Sequence, residues 1–230
     1  MKILAVFPST FEAAPTFKAA AAKARLGAEV DLAGNVRAFV SGARSAAAAK
    51  RLGVQIGKYK PQVVVLLGFG GACSRKLKPA DIVFETSDER LMEIFSSLGA
   101  RPGKIACSAT AADDQKRLGL EREGFDAVDM ESIIFEQAAK AAGARFAHVR
   151  CISDAYNSPL PADVMDSSLN PDTGAIEPLK MVSLANVKKY PTLLIGLIKF
   201  GLKMIPINRR WAKFCSDLTE KLKEMSNRDY

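Results

Sequence analysis

The chain has 230 residues, 48% of them hydrophobic and 25% charged, with a formal net charge of +8. That length accommodates one α/β domain with a large core, residues 1–230 together, and nothing in the composition calls for a second. The charge is local: Lys188, Lys189, Lys199, Lys203, Arg209, Arg210 and Lys213 contribute +7 in a stretch without Asp or Glu, and the remainder is close to neutral.

Cys73, Cys107, Cys151 and Cys215 form no CxxC pair, and there is a single histidine. This pattern fits reduced, mostly buried thiols in a cytoplasmic protein and provides no zinc or other metal site. Lys2 to Phe7 is an apolar run of the kind found in buried parallel strands; Pro8 ends it, and it is too short for the core of a signal peptide. Phe11 to Leu26 is Ala-rich and reads as a helix, with Ser9 or Thr10 as N-cap and Glu12 in the first turn, where negative charge is favourable. Ala28 to Ala33 and Val36 to Val40 are short strands joined at Gly34-Asn35, a hairpin signal, and Ala43 to Leu52 is a further helix.

Gln62 to Leu67 is the clearest buried strand. It runs into Gly68, Phe69, Gly70 and Gly71, a cluster that suggests close approach of the backbone to a ligand. The dinucleotide fingerprint fails here, because Cys73 occupies the third glycine position. Asp88 to Leu98 reads as a helix, Lys104 to Ser108 as a strand and Ala111 to Leu118 as a helix. From Gly124 onward the pattern is strand (Phe125 to Val128), helix (about Glu131 to Ala142) and strand (Phe146 to Ile152). Asp129 and Glu131 therefore stand where a strand becomes a helix. Ser153 and Asp154 lie just past the next strand, at the edge where open α/β sheets bind ligands. His148, in mid-strand, reads as a packed or surface residue rather than a catalytic one. Such alternation argues for a parallel or mixed sheet covered on both faces. Residues 158–180 read as a loop. Pro191 to Ile205 is apolar with Lys199 and Lys203, and falls short of the roughly 20 residues that cross a bilayer; Arg209 to Met225 reads as an amphipathic helix.

Val128-Asp129-Met130-Glu131-Ser132, followed by Val149-Arg150-Cys151-Ile152-Ser153-Asp154, resembles the signature pair of the nucleoside phosphorylase/nucleosidase superfamily. That superfamily includes methylthioadenosine/S-adenosylhomocysteine nucleosidases, futalosine hydrolases and hopanoid-associated phosphorylase-like enzymes. The glycine cluster and Leu77-Lys78-Pro79-Ala80-Asp81-Ile82-Val83 resemble its glycine loop and the run downstream. The resemblance implies a single-domain, three-layer α/β/α fold around a central mixed, mostly parallel twisted sheet. It also implies an enzyme that cleaves the N-glycosidic bond of a purine nucleoside or 5′-substituted adenosine without a cofactor, working as a homo-oligomer, a dimer first.

Breaking that bond calls for protonation of the leaving base, stabilisation of a cationic sugar and a nucleophile. By resemblance, Asp154 protonates the purine at N7, in apolar surroundings that favour its protonated form, with Ser153 holding its geometry. Glu131 binds the ribose hydroxyls, Met130 packs against the sugar and Glu12 activates water. Gly68, Phe69, Gly70, Gly71 and Asp129 complete the implied substrate-binding set.

Departures from the pattern refine this. Phosphorylases of the superfamily carry an arginine in the N-terminal loop and a hydroxyl residue in the glycine loop, to bind phosphate. Pro8-Ser9-Thr10 and Phe69 stand at those places, which favours water as nucleophile; phosphorolysis would need another arginine, such as Arg44 or Arg75. Ala111-Ala112 stands where a base-stacking aromatic is expected. Ser158-Pro159-Leu160-Pro161, the Pro171-Asp172-x-Gly174 run and Lys189-Tyr190-Pro191 resemble the hopanoid-associated branch, which acts on an adenosyl group attached to a lipid. The basic apolar segment 188–225, through residues 188–213, is accordingly a candidate for peripheral contact with the inner face of a membrane. A non-catalytic nucleoside-binding protein is disfavoured by the presence of Glu12, Glu131 and Asp154 together. A nucleic-acid-binding module leaves those acids unexplained, and the basic segment lacks the interleaved aromatics of a single-strand platform.

Overall fold

The computed structural model describes residues 1–43, 45–157, 164, 170, 173, 177, 180 and 193–228. Arg44, nearly all of the 158–180 loop, Lys188 and the Lys189-Tyr190-Pro191 run lie outside the described residues. In chain order the elements are β1 (Ile3–Phe7), α1 (Thr10–Ala19), β2 (Glu29–Ala33), β3 (Val36–Val40), α2 (Ala46–Tyr59), β4 (Val63–Ala72), β5 (Ile82–Thr86) and α3 (Glu89–Ser97). They continue with β6 (Arg101–Pro102), β7 (Ile105–Cys107), α4 (Asp114–Arg122), β8 (Ala127–Asp129), α5 (Ser132–Ala141), β9 (Arg145–Asp154) and α6 (Leu193–Arg228).

The strands form one mixed sheet along the path β2-β3-β1-β4-β9-β5-β6, with β8 beside the end of β4 and β7 beside β8. β3, β1, β4 and β9 run parallel, whereas β2, β5 and β8 lie antiparallel to β3, β9 and β4. Side chains alternate across a strand, and both faces are buried. Ile3, Ala5, Phe7, Val63, Val65 and Leu67 pack with Phe17, Phe95, Trp211 and Phe214 of α1, α3 and α6. Leu4, Val6, Val64 and Leu66 pack on the other face with Leu52, Ile56, Phe135 and Ala139 of α2 and α5. This is the expected three-layer α/β/α arrangement, and burial on both faces explains why β1 and β4 read as unbroken apolar runs.

Several boundaries differ from the sequence expectation. α1 stops at Ala19 instead of running to Leu26: Ala21 adopts a left-handed φ of 53° and the Ala22 N–H returns to Phe17 O at 2.8 Å, a Schellman-type closure. α2 continues past Leu52 to Tyr59 because Ile56 and Tyr59 extend its buried stripe. α4 begins at Asp114 rather than Ala111, since Asp113 accepts the Lys116 N–H at 2.8 Å and caps it. The apolar run and the amphipathic C-terminal helix are one continuous element of 36 residues. Pro206 removes one helical N–H bond inside it, but sits where the buried stripe begins: Ile207, Trp211, Phe214, Cys215, Leu218 and Leu222 are all buried.

Trp211 Nε1 donates to Glu12 O at 3.0 Å, and Cys215 hydrogen-bonds with Thr16. α6 therefore runs parallel to α1, which descends from the C-terminal edge of the sheet. Residues of α6 before Ile207 project beyond that edge, and Ile195, Ile198, Leu202 and Ile205 there are exposed. No helix among the described residues is long and apolar enough to cross a membrane.

Candidate active site

Four segments meet at the C-terminal edge of the parallel strands. They are the β1–α1 turn with Ser9 and Glu12, the glycine-rich end of β4, the β8–α5 junction with Asp129 and Glu131, and the end of β9 with Arg150, Ser153 and Asp154.

The glycine cluster is strand, not loop. β4 pairs with β9 through Gly68↔Arg150, Phe69↔Cys151 and Gly70↔Ile152, and the register slips before Gly71↔Asp154. The glycines make room for charged side chains. A Cβ at Gly68 would stand 2.5 Å from Glu12 Oε1 and 2.9 Å from Arg150 Nη1. One at Gly70 would stand 3.0 Å from Val128 O, and one at Gly71 2.8 Å from Arg117 Nη2. Ser153 and Asp154, expected just past a strand, are the last two residues of β9.

Glu12 combines two roles that its sequence position left open. Its N–H is capped by Ser9 Oγ at 3.2 Å and Ser9 Oγ donates to Glu12 Oε2 at 2.7 Å, a variant of the capping box. Its Oε1 accepts the Phe69 N–H at 2.8 Å, which ties α1 to the glycine strand. Burial pushes this carboxyl above its ordinary range, against the opposing hydrogen bonds from Ser9 and Phe69 and the charge of Arg150. The Phe69 ring lies between Phe11 and Trp211, with centroids at 5.8 and 5.6 Å.

Behind Glu12 lies a fully buried ion pair. Arg150 Nε donates to Asp129 Oδ2 at 2.8 Å, and Nη2 donates to the same oxygen. Asp129 Oδ1 accepts both Ser132 N–H at 3.2 Å and Ser132 Oγ–H at 2.7 Å. Burial alone would raise the Asp129 carboxyl, but Arg150 and Ser132 outweigh it and hold the group below the usual carboxylate range. Both oxygens of Asp129, expected among the substrate-binding groups, are thus engaged by Ser132 and Arg150 within the protein. Glu131 Oε2 is 4.0 Å from Arg150 Nη2 and 3.3 Å from the Met130 N–H. Burial, reinforced by the charges of Asp129 and Glu12 and opposed by Arg150, pushes Glu131 up to about 8. One guanidinium cannot neutralise three carboxylates, so the cluster retains a proton.

Asp154 occupies the other end of the glycine strand. Ser153 Oγ lies 2.5 Å from Asp154 Oδ1 and 3.2 Å from Gly70 O. The surroundings are ionic rather than apolar, which corrects the expectation for this residue: Arg117 Nη2 lies 2.5 Å from Asp154 Oδ2, with both side chains largely buried. Arg75, weighed as a phosphate partner, lies at the surface beside Glu121 and over the Tyr156 ring. His148 is buried with Nε2 3.2 Å from Glu85 Oε2. The four cysteines are free, three of them buried.

Sequence reasoning did not assign roles to Arg150, Arg117 or Trp211. Arg150 carried a readable signal, since an arginine inside an otherwise apolar strand requires a buried acidic partner. Nothing in the α4 sequence marks Arg117.

Comparison with known proteins places this architecture. Residues 86–170 match the family model described as the phosphorylase superfamily. Comparison with curated proteins finds no match. Among solved structures, the S-adenosylhomocysteine nucleosidase of Streptococcus pyogenes, in complex with 5-methylthiotubericidin, superposes with a TM-score of 0.63 at 18% identity, over 96% of this chain and 97% of that one. The 5′-methylthioadenosine/S-adenosylhomocysteine nucleosidase of Neisseria meningitidis, in complex with methylthio-immucillin-A, gives 0.65 at 16% identity, over 97% and 100%. Futalosine hydrolase of Helicobacter pylori gives 0.62 at 14% identity, over 96% and 98%. The fold is shared with these proteins along nearly their whole length.

Proposed function

We propose that this protein hydrolyses the N-glycosidic bond of a purine nucleoside or 5′-substituted adenosine and releases the free base. The observation that carries the reading is the setting of Glu12, held by Ser9 Oγ and the Phe69 N–H beside Glu131 and Arg150 on the ligand edge of the sheet. A carboxylate whose proton affinity is raised by burial is a better base near neutral pH than a solvated one. The C1′–N9 bond breaks with its electron pair passing to the purine; the water oxygen bonds to C1′ and its proton passes to Glu12; the purine anion takes a proton from solvent to complete the free base, and Glu12 returns its proton to solvent. Asp154 and Ser153 are assigned to the base, and Glu131 with Met130 to the sugar.

Electrostatics favour water over phosphate. Among the described residues, Glu12, Asp129 and Glu131 surround one guanidinium that Asp129 already engages at two nitrogens, so a phosphate dianion would approach net negative charge there.

The reading extends to a nucleoside carried on a lipid. Ile195, Ile198, Leu202 and Ile205 recur at helical spacing on exposed α6, with Lys199 and Lys203 flanking them, beyond the edge that holds the site. An anionic bilayer suits this face better than a second copy of the chain, whose twofold contact would set like lysines against each other. Cytoplasmic placement and pairing of two chains elsewhere on the surface complete the reading, on the strength of the resemblance and the free thiols. Incubation with adenosine, 5′-methylthioadenosine, futalosine and an adenosyl lipid, with free base measured by chromatography, tests it. Absence of base release from all four would refute it.

A further inference from the structure

Glu12 is held at both its side chain and its backbone. Ser9 Oγ and the Phe69 N–H seat the carboxylate, and the Glu12 carbonyl accepts the Trp211 indole N–H from α6 at 3.0 Å. Pro15 lies inside α1 and lacks the N–H that a regular helix would direct at Phe11 O, four residues back. The turn that carries Glu12 is therefore missing one bond of its own ladder, and Trp211 supplies a tie from outside. One helical turn further along both helices, Cys215 hydrogen-bonds with Thr16. Contacts of residues 12 and 16 with residues 211 and 215 fix the roll of α1 about its axis, and that roll decides where the Glu12 carboxylate points.

Trp211 also touches the second element that holds the carboxylate. Its ring is buried, with centroids 5.6 Å from Phe69 and 5.9 Å from Phe214, the latter stacked. The seat leaves little slack, since a methyl at Gly68 would stand 2.5 Å from Glu12 Oε1. We propose that Trp211 is a positioning residue for Glu12: its indole N–H fixes the turn that carries the carboxylate, and its ring seats Phe69, whose N–H receives it. The consequence for turnover rests on the nucleosidase reading, in which Glu12 activates water. Among the described residues, the charged and titratable groups facing Glu12 are Arg150 of β9, Glu131 at the β8–α5 junction and Cys215 of α6. Burial pushes the Cys215 thiol up, so it stays neutral. The Phe69 N–H is one of the bonds that lower the proton affinity of Glu12 against burial. Loosening it raises that affinity, and the acid limb of a rate profile governed by this base moves to higher pH.

Trp211→Phe keeps an aromatic ring and removes the N–H. It should lower kcat by about tenfold or more, as a misplaced catalytic group does, with KM near the wild-type value and the acid limb moved to higher pH. Leu218→Ala, which opens the same buried stripe two turns further along α6, should lower the melting temperature without moving the limb. In a Glu12→Gln background Trp211→Phe should cost nothing further, because residues that act as one unit are not additive. An equal loss in both backgrounds, or an acid limb that stays in place, would overturn the proposal and leave Trp211 a core residue. Trp211 is the chain's one tryptophan, which provides a readout that needs no turnover. Its fluorescence should titrate with the protonation of Glu12, the transition persisting in Glu131→Gln and vanishing in Glu12→Gln. No transition in the wild type, or one that survives Glu12→Gln, would also overturn the proposal. Absence of base release from every nucleoside alongside a Glu12-linked transition would count against hydrolysis and in favour of the coupling between Trp211 and Glu12.

Discussion

Arg150 and Asp129 form an ion pair in which two guanidinium nitrogens donate to one carboxylate oxygen and neither side chain reaches solvent. Gly68 exists partly for this pair, because any side chain there would meet Arg150 Nη1 and Glu12 Oε1. Removing one partner of a buried pair strands the other charge, at a cost of about 3–5 kcal/mol. Arg150→Met should therefore lower unfolding stability by about that amount in denaturant titrations. Asp129→Leu combined with Arg150→Met should recover much of the loss, since it removes the orphaned charge.

Glu131 makes stability depend on pH in a defined direction. Below the ordinary glutamate value of 4.5 the carboxyl is protonated in folded and unfolded chains alike; between there and about 8 the folded chain keeps a proton that the unfolded chain releases. Stability therefore falls as pH rises through this window. Glu131→Gln should melt progressively higher than wild type from pH 5 to pH 8, and melting curves at matched ionic strength check it. A constant difference across that range would show that Glu131 titrates normally.

Glu12→Gln and Asp154→Asn should each reduce turnover by about 10²-fold or more while leaving the fold intact, as loss of a general base or of the base-binding carboxylate predicts. Gly68→Ala should reduce turnover comparably, because its methyl would displace Glu12 Oε1 from a 2.5 Å approach. Steady-state base release with circular dichroism on the same samples separates loss of chemistry from loss of fold. A Glu12→Gln variant with near-normal release would remove that residue from the mechanism.

The layers and the site edge were legible because β1 and β4 are buried on both faces and because acids cluster at strand ends. Glu12 was legible as a helix-start acid, and its second role needed the Phe69 N–H, which lies 57 residues away in sequence. The environment of Asp154 was not legible. Its partner Arg117 comes from α4, a short helix whose start was displaced by an unanticipated Asp113 cap. The end of α1 was misread because alanines carry no large side chain to mark where burial stops, and the single long α6 because Pro206 suggests a break. That helix persists through the proline because Ile207 and Trp211 anchor it immediately afterwards.

The projecting part of α6 should bring the protein to anionic bilayers, each basic residue near the surface contributing about 1 kcal/mol. Co-sedimentation with phosphatidylserine-containing vesicles should retain the wild type and release Lys199→Glu/Lys203→Glu, with neutral vesicles retaining neither. Equal recovery of both proteins in the supernatant under all conditions would leave that face without a lipid role.

The identity of the nucleophile tests the central claim most directly. With the preferred nucleoside, in phosphate buffer prepared in ¹⁸O-labelled water, the sugar product should be the free sugar carrying one ¹⁸O at C1′ by mass spectrometry, at a rate independent of phosphate concentration. Formation of the sugar 1-phosphate as the main product, with a rate that rises with phosphate, would contradict hydrolysis by a Glu12-activated water and establish phosphorolysis instead.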